Sequence, residues 1–160
     1  MKIIDNFINK IGIFSSYLIY LMVFLIILTL ILRYIFNIGS IALQELIMYF
    51  HAIFFLFGIS VAIKESSHVK IDILSNKLSD YQNHIIYILG LIFFMIPFAL
   101  FVIGISMDMV IKSWKILEQS SESGGLELVY ILKSLIPLSG LLIFIQSISE
   151  LIKTIKYIAK

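Results

Sequence analysis

The sequence predicts an all-α membrane protein with four transmembrane helices and a short interfacial amphipathic helix on the cytoplasmic side. Hydrophobic residues make up 61% of the 160 residues and charged residues only 14%, and the mean hydropathy is +1.07. A water-soluble domain of this size needs far more charge to cover its surface. The apolar residues also lie in long blocks rather than at amphipathic spacing, which is typical of helices surrounded by lipid.

Four apolar blocks are long enough to cross a bilayer, and they cover residues 11–32, 46–63, 85–107 and 135–152. The first block contains 22 residues and no charge, so as a helix it spans about 33 Å. A signal peptide is the alternative interpretation of an N-terminal apolar run. This run is longer than a signal-peptide core and is followed by Arg33 rather than by a small-residue cleavage site, so we expect an uncleaved span.

Two prolines lie in these blocks and have different predicted effects. Pro97 is near the centre of the third block, where the loss of a backbone hydrogen bond should kink the helix. Pro137 lies where we expect the first turn of the fourth helix, and a proline is tolerated there because that N–H has no helical partner.

The distribution of positive charge predicts the orientation of the chain. An even number of spans places both termini on one side of the membrane. Eight of the twelve Lys and Arg residues fall on the side of the termini and four on the other side. Because positive residues are enriched in cytoplasmic segments, we expect both termini in the cytoplasm. Tyr34, Trp114 and Tyr130 would then lie at the outer membrane interface.

The loops differ in character. In the inner loop, residues 69–81 place Ile71, Leu74, Leu78 and Tyr81 on one helical stripe, with Asp72 roughly opposite. This pattern predicts an amphipathic helix that lies on the membrane surface. The outer loop, residues 112–134, is the most polar stretch, and its segment 120–125 is rich in serine and glycine, which predicts a flexible bend.

No pattern in the sequence indicates an enzyme or a cofactor site. There are no cysteines, which excludes disulfides, thiolate metal sites and a cysteine nucleophile. We find no metal-ligand spacing, no nucleophile elbow and no glycine-rich phosphate loop. The net charge of +2 is too small, and basic runs with aromatic residues are missing, so we expect no nucleic-acid partner.

His51, inside the second span, is a candidate ligand or contact residue. A haem held by two histidines needs a second histidine at the same depth on a facing helix. His84 lies at the cytoplasmic end of its span, whereas His51 is 12 residues, about 18 Å, from the corresponding end of its own. We therefore expect His51 to bond to a neighbouring helix or to face a partner subunit.

Other polar residues near or inside the spans are candidates for contacts. Arg33 and Glu45 lie near the outer ends of their spans and either pair with each other across the short turn or contact another protein at the outer rim. Gln146, within the fourth span, is a candidate for a hydrogen bond between helices. A small exporter acting alone as a homo-oligomer is an alternative function, but it needs an acid at the membrane centre, and the spans contain none there.

Several of these segments resemble the small membrane subunit of tripartite ATP-independent periplasmic (TRAP) transporters. The resemblance rests on Gln44-Glu45-Leu46 entering a span, on Gly58 within it and on the segment His68–Leu74 after it. Arg33 after the first span and Pro137-Leu138-Ser139-Gly140 at the fourth also match. Two positions differ from the family's habit, because no tryptophan precedes Glu45 closely and no proline occurs at 126–128.

The resemblance implies a function and partners. In that family a large membrane subunit holds the substrate and sodium sites and moves as an elevator, and a soluble periplasmic protein delivers an organic acid. The small subunit packs on the immobile scaffold of the large one and helps to receive the binding protein, in the inner membrane of a bacterium or archaeon. The candidate residues of these interfaces are Arg33, Glu45, His51, His68, Asp72, Trp114 and Gln146.

Overall fold

The computed structural model describes residues 2–65 and 78–159, which form four long helical stretches. Their elements are α1 (Lys2–Tyr34), α2 (Ile41–Lys64), α3 (Asp80–Gly90), a π-helical segment (Leu91–Met95), α4 (Ile96–Ile116) and α5 (Val129–Ile158). The elements α3, π and α4 follow one another without a break, as one stretch of 37 residues. All four stretches are long and apolar enough to cross a membrane, which confirms the predicted fold class.

Each helical stretch continues past its predicted apolar span into neighbouring residues that include polar and charged ones. Two of these ends are capped by serine. The Ser40 hydroxyl accepts a hydrogen bond from the Leu43 N–H at 3.3 Å at the start of α2. Ser79 and Gln82 form a reciprocal capping box at the start of α3, in which each side chain accepts from the backbone N–H of the other. Capping thus determines where α2 and α3 begin.

Most of the predicted interfacial helix, together with His68 and Asp72, lies outside the described residues. The description resumes at Leu78, just before α3. Tyr81, which we placed on the apolar stripe of the interfacial helix, lies in the first turn of α3. Because Ser79 caps α3 in an extended conformation, Tyr81 belongs to the helix of the third span.

The two prolines lie in different helical surroundings. The disturbance at Pro97 takes the form of the π-helical segment that precedes it, in which the Ile96 N–H bonds to the Leu91 carbonyl. Pro137 is inside α5 rather than in its first turn, so that prediction was wrong. The reason is that α5 begins at Val129, two turns before the apolar block, and Pro137 therefore removes one bond from the helix interior.

The C-terminal helix α5 lies at the centre of the bundle. It packs against each of the other four helices and against the π-helical segment, and α1 and α2 pack against each other. Nearly half of the residues in its most apolar 18-residue segment are buried, compared with less than a fifth in the corresponding segment of each of the other three stretches. Its buried face is small and polar and consists of Ser139, Gly140, Gln146, Ser147, Ser149, Glu150 and Thr154, beside Leu135, Leu142 and Ile143.

The contact between α4 and α5 depends on Gly140. A Cβ atom at this position would lie 2.8 Å from the Ile103 Cγ1 atom and 3.2 Å from the Ala99 carbonyl oxygen. Ala99 is itself completely buried, and it forms the core of the bundle together with Ile63 and Ile143. Small residues permit such close approach of helix backbones in membranes, where packing rather than hydrophobic burial holds helices together.

We expect Gly140→Val to destabilise the bundle, by about 1–3 kcal/mol, because the added atoms overlap Ile103 and the α4 backbone. The matched control is Gly104→Val, since no atom lies within 4 Å of a Cβ built at Gly104. The measurement is the thermal unfolding midpoint of each purified variant in the same detergent. Equal midpoints for the two variants would contradict the close contact at Gly140.

Candidate functional site

The polar contacts of the described residues gather at the two ends of the bundle. We call the end that contains both termini the terminal face, where Asp5 in α1 contacts Lys153 in α5. We call the other end the loop face, where the turn 35–40 and the loop 117–128 connect the helices. Each face contains hydrogen bonds and ion pairs that join different elements, and we describe the candidate residues face by face.

At the loop face, Glu45 holds the long loop onto the start of α2. One carboxylate oxygen accepts a hydrogen bond from the Ser120 hydroxyl, and the other accepts from the Leu126 N–H at 2.6 Å. The loop closes on itself, because the Ser120 N–H donates to the Leu126 carbonyl at 3.1 Å. We call Glu45, Ser120, Gly125 and Leu126 the Glu45 latch.

The glycines of this loop are required by its geometry. Gly124 has a φ of +80°, which is a conformation that glycine adopts without strain. A Cβ atom at Gly125 would overlap the Ser120 side chain and would lie 2.8 Å from a Glu45 carboxylate oxygen. The segment 120–125 forms a bend, as predicted, and this bend brings the backbone close to the Glu45 carboxylate on α2, whereas its flexibility stays a prediction.

The predicted Arg33–Glu45 pair does not form. Both carboxylate oxygens of Glu45 are used by the latch, because Glu45 lies near the start of α2, where it meets the loop 117–128. Arg33 is exposed, and no ion pair of Arg33 occurs within residues 2–65 and 78–159. It lines a shallow cleft between α1 and α2 with Asn37, Gly39, Ser40, Ile41 and Gln44.

Trp114 fastens the end of α4 to the start of α5. Its Nε1–H donates to the Ser134 hydroxyl at 2.7 Å, and its ring meets the Tyr130 ring edge-on, with centroids 4.7 Å apart. Beside it the Lys133 ammonium donates to the Glu118 carboxylate at 2.6 Å. This hydrogen bond holds the pKa of the Glu118 carboxyl below its ordinary value.

The terminal face contains a partly buried charge cluster that the sequence did not suggest. The Lys153 ammonium donates to Asp5 at 2.6 Å and to Glu150 at 2.7 Å. Gln146, which is completely buried, donates from its Nε2 atom to the same Glu150 oxygen at 2.8 Å. We call Asp5, Gln146, Glu150 and Lys153 the terminal-face cluster, and it ties the first helix to the last.

Gln146 contacts two carboxylates. Its amide donates to Glu150 within α5, and it also lies within hydrogen-bonding reach of Asp5 in α1, which agrees with the predicted polar contact between helices. Lys153 also links the two helices, because it reaches Asp5 in α1. The sequence signal for this link was the presence of Glu150 and Lys153 three residues apart on one helix face, combined with an acidic residue near the other terminus.

The two histidines considered for haem ligation have separate surroundings. His51 is on the exposed side of α2, with its ring stacked near Phe55 at a centroid distance of 6.2 Å. The His84 ring stacks on Tyr157 at 4.7 Å, and its Nδ1 atom is 2.6 Å from the Asp80 carbonyl oxygen. Within the described ranges, no group of three or more His, Asp or Glu residues is arranged to hold a metal ion.

Comparison with known protein families decides the class of this chain. The model of the family "Tripartite ATP-independent periplasmic transporters, DctQ component" matches residues 22–156. The chain belongs to this family. Comparison with curated proteins and with solved structures finds no match. The DctQ match includes the whole of α2, α3 and α4, the Glu45 latch, and three members of the terminal-face cluster, so the resemblance to a small TRAP subunit is confirmed.

DctQ membership also gives the setting in which the two faces act. DctQ is a family of transporter components, and a TRAP system combines it with a large membrane subunit and a substrate-binding protein. A DctQ component with four apolar helices is a multi-pass membrane protein. Of the candidate interface residues, Arg33, Glu45 and Trp114 lie toward the loop face, Gln146 toward the terminal face, and His51 on the outside of α2 between them.

We expect Glu45→Ala to release the loop of this DctQ component, because the Ser120 hydroxyl and the Leu126 N–H lose their acceptor. The measurement is the hydrogen-exchange rate of the Leu126 amide, which should rise. Glu122→Ala is the control, since no contact of the Glu122 carboxylate occurs among the described hydrogen bonds and ion pairs. An unchanged Leu126 exchange rate in the Glu45 variant would show that the latch does not hold the loop.

We expect Lys153→Met to destabilise the bundle by about 2 kcal/mol, because Asp5 and Glu150 would lose their shared cation. Removal of one partner of a fully buried pair costs about 3–5 kcal/mol, and we reduce this figure because the Lys153 side chain is about one-third exposed. The measurement is the thermal midpoint in detergent, with Lys156→Met on the exposed face of α5 as the control. A Lys153 variant as stable as the control would remove the cluster from the interactions that hold α1 to α5.

Proposed function

We propose that this chain is the small permease subunit of a sodium-coupled TRAP transporter for organic acids, of the C4-dicarboxylate or sialic-acid type. In this proposal it packs on the immobile scaffold of the large membrane subunit and enlarges it. It lies in the inner membrane of a bacterium or archaeon with both termini in the cytoplasm. The loop face then lies on the periplasmic side, where the substrate-binding protein approaches.

The observation that carries this proposal is the position of the polar contacts within a DctQ component. Every paired acidic or basic side chain in the described ranges lies near either the loop face or the terminal face of the bundle. Between the ends, the buried polar residues are mostly serines, and several bond to their own helix backbone. A protein that carries an organic anion through its own centre needs charged or strongly polar groups at that depth. This arrangement of polar groups favours a subunit that supports the large one over a subunit that transports the anion itself.

The loop face supports a role in docking through its shape rather than through free charge at Glu45. The Glu45 carboxylate is used internally to hold the loop 117–128. The exposed groups on this face include the Arg33 guanidinium. A loop with a defined conformation costs less conformational entropy to bind than a mobile one. We therefore propose that the latch presents a preformed surface to the binding protein.

The first experiment is affinity purification of the chain from its native membranes in a mild detergent, followed by mass spectrometry. We expect a larger polytopic subunit in equal amount, because the proposed function requires a stable complex. Recovery of the chain alone as a homo-oligomer in several detergents would refute the proposal and favour the autonomous transporter.

A second experiment tests the role of the latch in transport. The complex is reconstituted in vesicles with the binding protein, and sodium-driven uptake of a dicarboxylate or sialic acid is measured. We expect Glu45→Ala to lower uptake several-fold at limiting binding protein, with the yield of the complex unchanged, and Glu122→Ala to have little effect. Equal uptake by the Glu45 variant and the wild type would exclude a docking role for the latch.

A further inference from the structure

Helix α2 exposes a single narrow stripe along its length. Its exposed residues are Gln44, Met48, His51 and Phe55, and the same spacing continues through Gly58 and Ala62. With 3.6 residues per turn, these six positions lie within about 40° of one line along the helix. We call them the α2 stripe. The rest of α2 is covered to varying degrees by α1 and α5.

His51 gives this stripe a polar group at mid-membrane depth. It lies ten residues after the start of α2 and thirteen before its end, so it is about 15 Å and 20 Å from the two ends. Its ring stacks only on Phe55 of the same helix, and no hydrogen bond of His51 occurs within residues 2–65 and 78–159. A polar side chain exposed to lipid at this depth is costly, so the position favours a partner that supplies a hydrogen bond.

The terminal half of the stripe is shaped for close approach of another helix. Gly58 and Ala62 are four residues apart on the same line, which is the small-xxx-small spacing of tightly packed membrane helices. Among residues 2–65 and 78–159, no atom beyond the backbone of its own helix lies within 4 Å of a Cβ atom built at Gly58, so the described structure leaves this space open. At Gly140, in contrast, side chains and backbone of α4 occupy the corresponding space. The opening at Gly58 is therefore not used in the packing of the described helices.

The outward surfaces of α1 and α4 differ from the α2 stripe; α4 also has an open glycine, Gly104, but no histidine or other exposed polar residue beside it at mid-membrane depth. On α4 the exposed residues at mid-membrane depth are apolar, for example Phe98, Phe101 and Ile105, as expected for a surface that faces lipid. On α1, Tyr20 is 74% exposed. Because the Asn9–Lys64 and Gly12–Val61 contacts pair antiparallel helices, His51 is level with about residue 22 of α1, so Tyr20 lies at nearly the same depth. Tyr20 therefore marks the main competing surface.

We propose that the α2 stripe is the seam along which a transmembrane helix of the large subunit packs, with a hydrogen-bonding side chain of that helix opposite His51. The inference rests on the proposed function and adds to it the helix face and the chemistry of the contact. Gly58 and Ala62 allow the two backbones to approach, and His51 fixes the axial register. The partner helix carries a polar side chain in an otherwise apolar surface.

The test compares matched variants of the purified complex. We expect His51→Leu to reduce the recovered large subunit ~3- to 20-fold, which is the range of one hydrogen bond between membrane helices. Gly58→Leu should reduce recovery at least as much, because its side chain fills the open space. The controls are Phe101→Leu and Gly104→Leu on the exposed side of α4. The thermal midpoint of the isolated chain should not change in the His51 and Gly58 variants, which separates loss of the partner from misfolding.

Photo-crosslinking then identifies the protein that packs against the α2 stripe. A photoreactive phenylalanine is placed at Met48 or Phe55 on the stripe, and at Tyr20 or Phe101 elsewhere. Crosslinks from the stripe to the large subunit support the seam. Crosslinks from the stripe to a second copy of this chain, or crosslinks to the large subunit from Tyr20 or Phe101 alone, overturn it.

The two proposals fail in different ways. If the wild-type chain recovers the large subunit and the His51 and Gly58 variants recover as much as their controls, the seam is wrong and the proposed function stands. If the wild-type chain recovers no large subunit, the proposed function falls and the seam falls with it.

Discussion

The small and polar face of α5 is the feature on which the remaining structure depends. In lipid, apolar side chains gain little by leaving one solvent for a similar one, so helices associate through close contact and through polar groups that need partners. Helix α5 supplies both. Gly140 allows the backbone of α4 to approach, and the charge cluster around Lys153 holds α1. Because α5 contacts every other helix, its face determines the position of the others.

The two ends of the bundle have a different role from its centre. At one end a carboxylate organises a loop, and at the other a lysine joins the first helix to the last. Both groups occur where water and lipid head groups lower the cost of charge. The centre consists mainly of apolar side chains and serines, which is consistent with the supporting role that we propose.

The sequence alone predicted the helices and the family but not the contacts between helices. Apolar blocks and the segment around Glu45 are local features, and they led to four spans and to the TRAP resemblance. The partners of Glu45, in contrast, are 75 and 81 residues further along the chain. We considered Arg33 as its partner because Arg33 is close to Glu45 in the sequence. The position of Pro137 was misjudged because Lys133 and Ser134 interrupt the apolar sequence, so the predicted block began at residue 135, whereas α5 begins at Val129. Gln146 was correctly singled out as a polar group inside a span, but the sequence did not show that its amide donates to Glu150 on the same helix.

The π-helical segment before Pro97 has a consequence for how the third span can vary in length. A π turn holds one more residue than an α turn in a similar rise, so the segment absorbs an extra residue locally. The capping box at Ser79 below it and the Ala99 contact with Gly140 above it are each fixed by their own neighbours. A related chain that lacks one residue between Leu91 and Met95 could therefore form a regular α-helix here and keep both contacts. The middle of this span is thus a place where membrane helices can gain or lose a residue during evolution without shifting their ends.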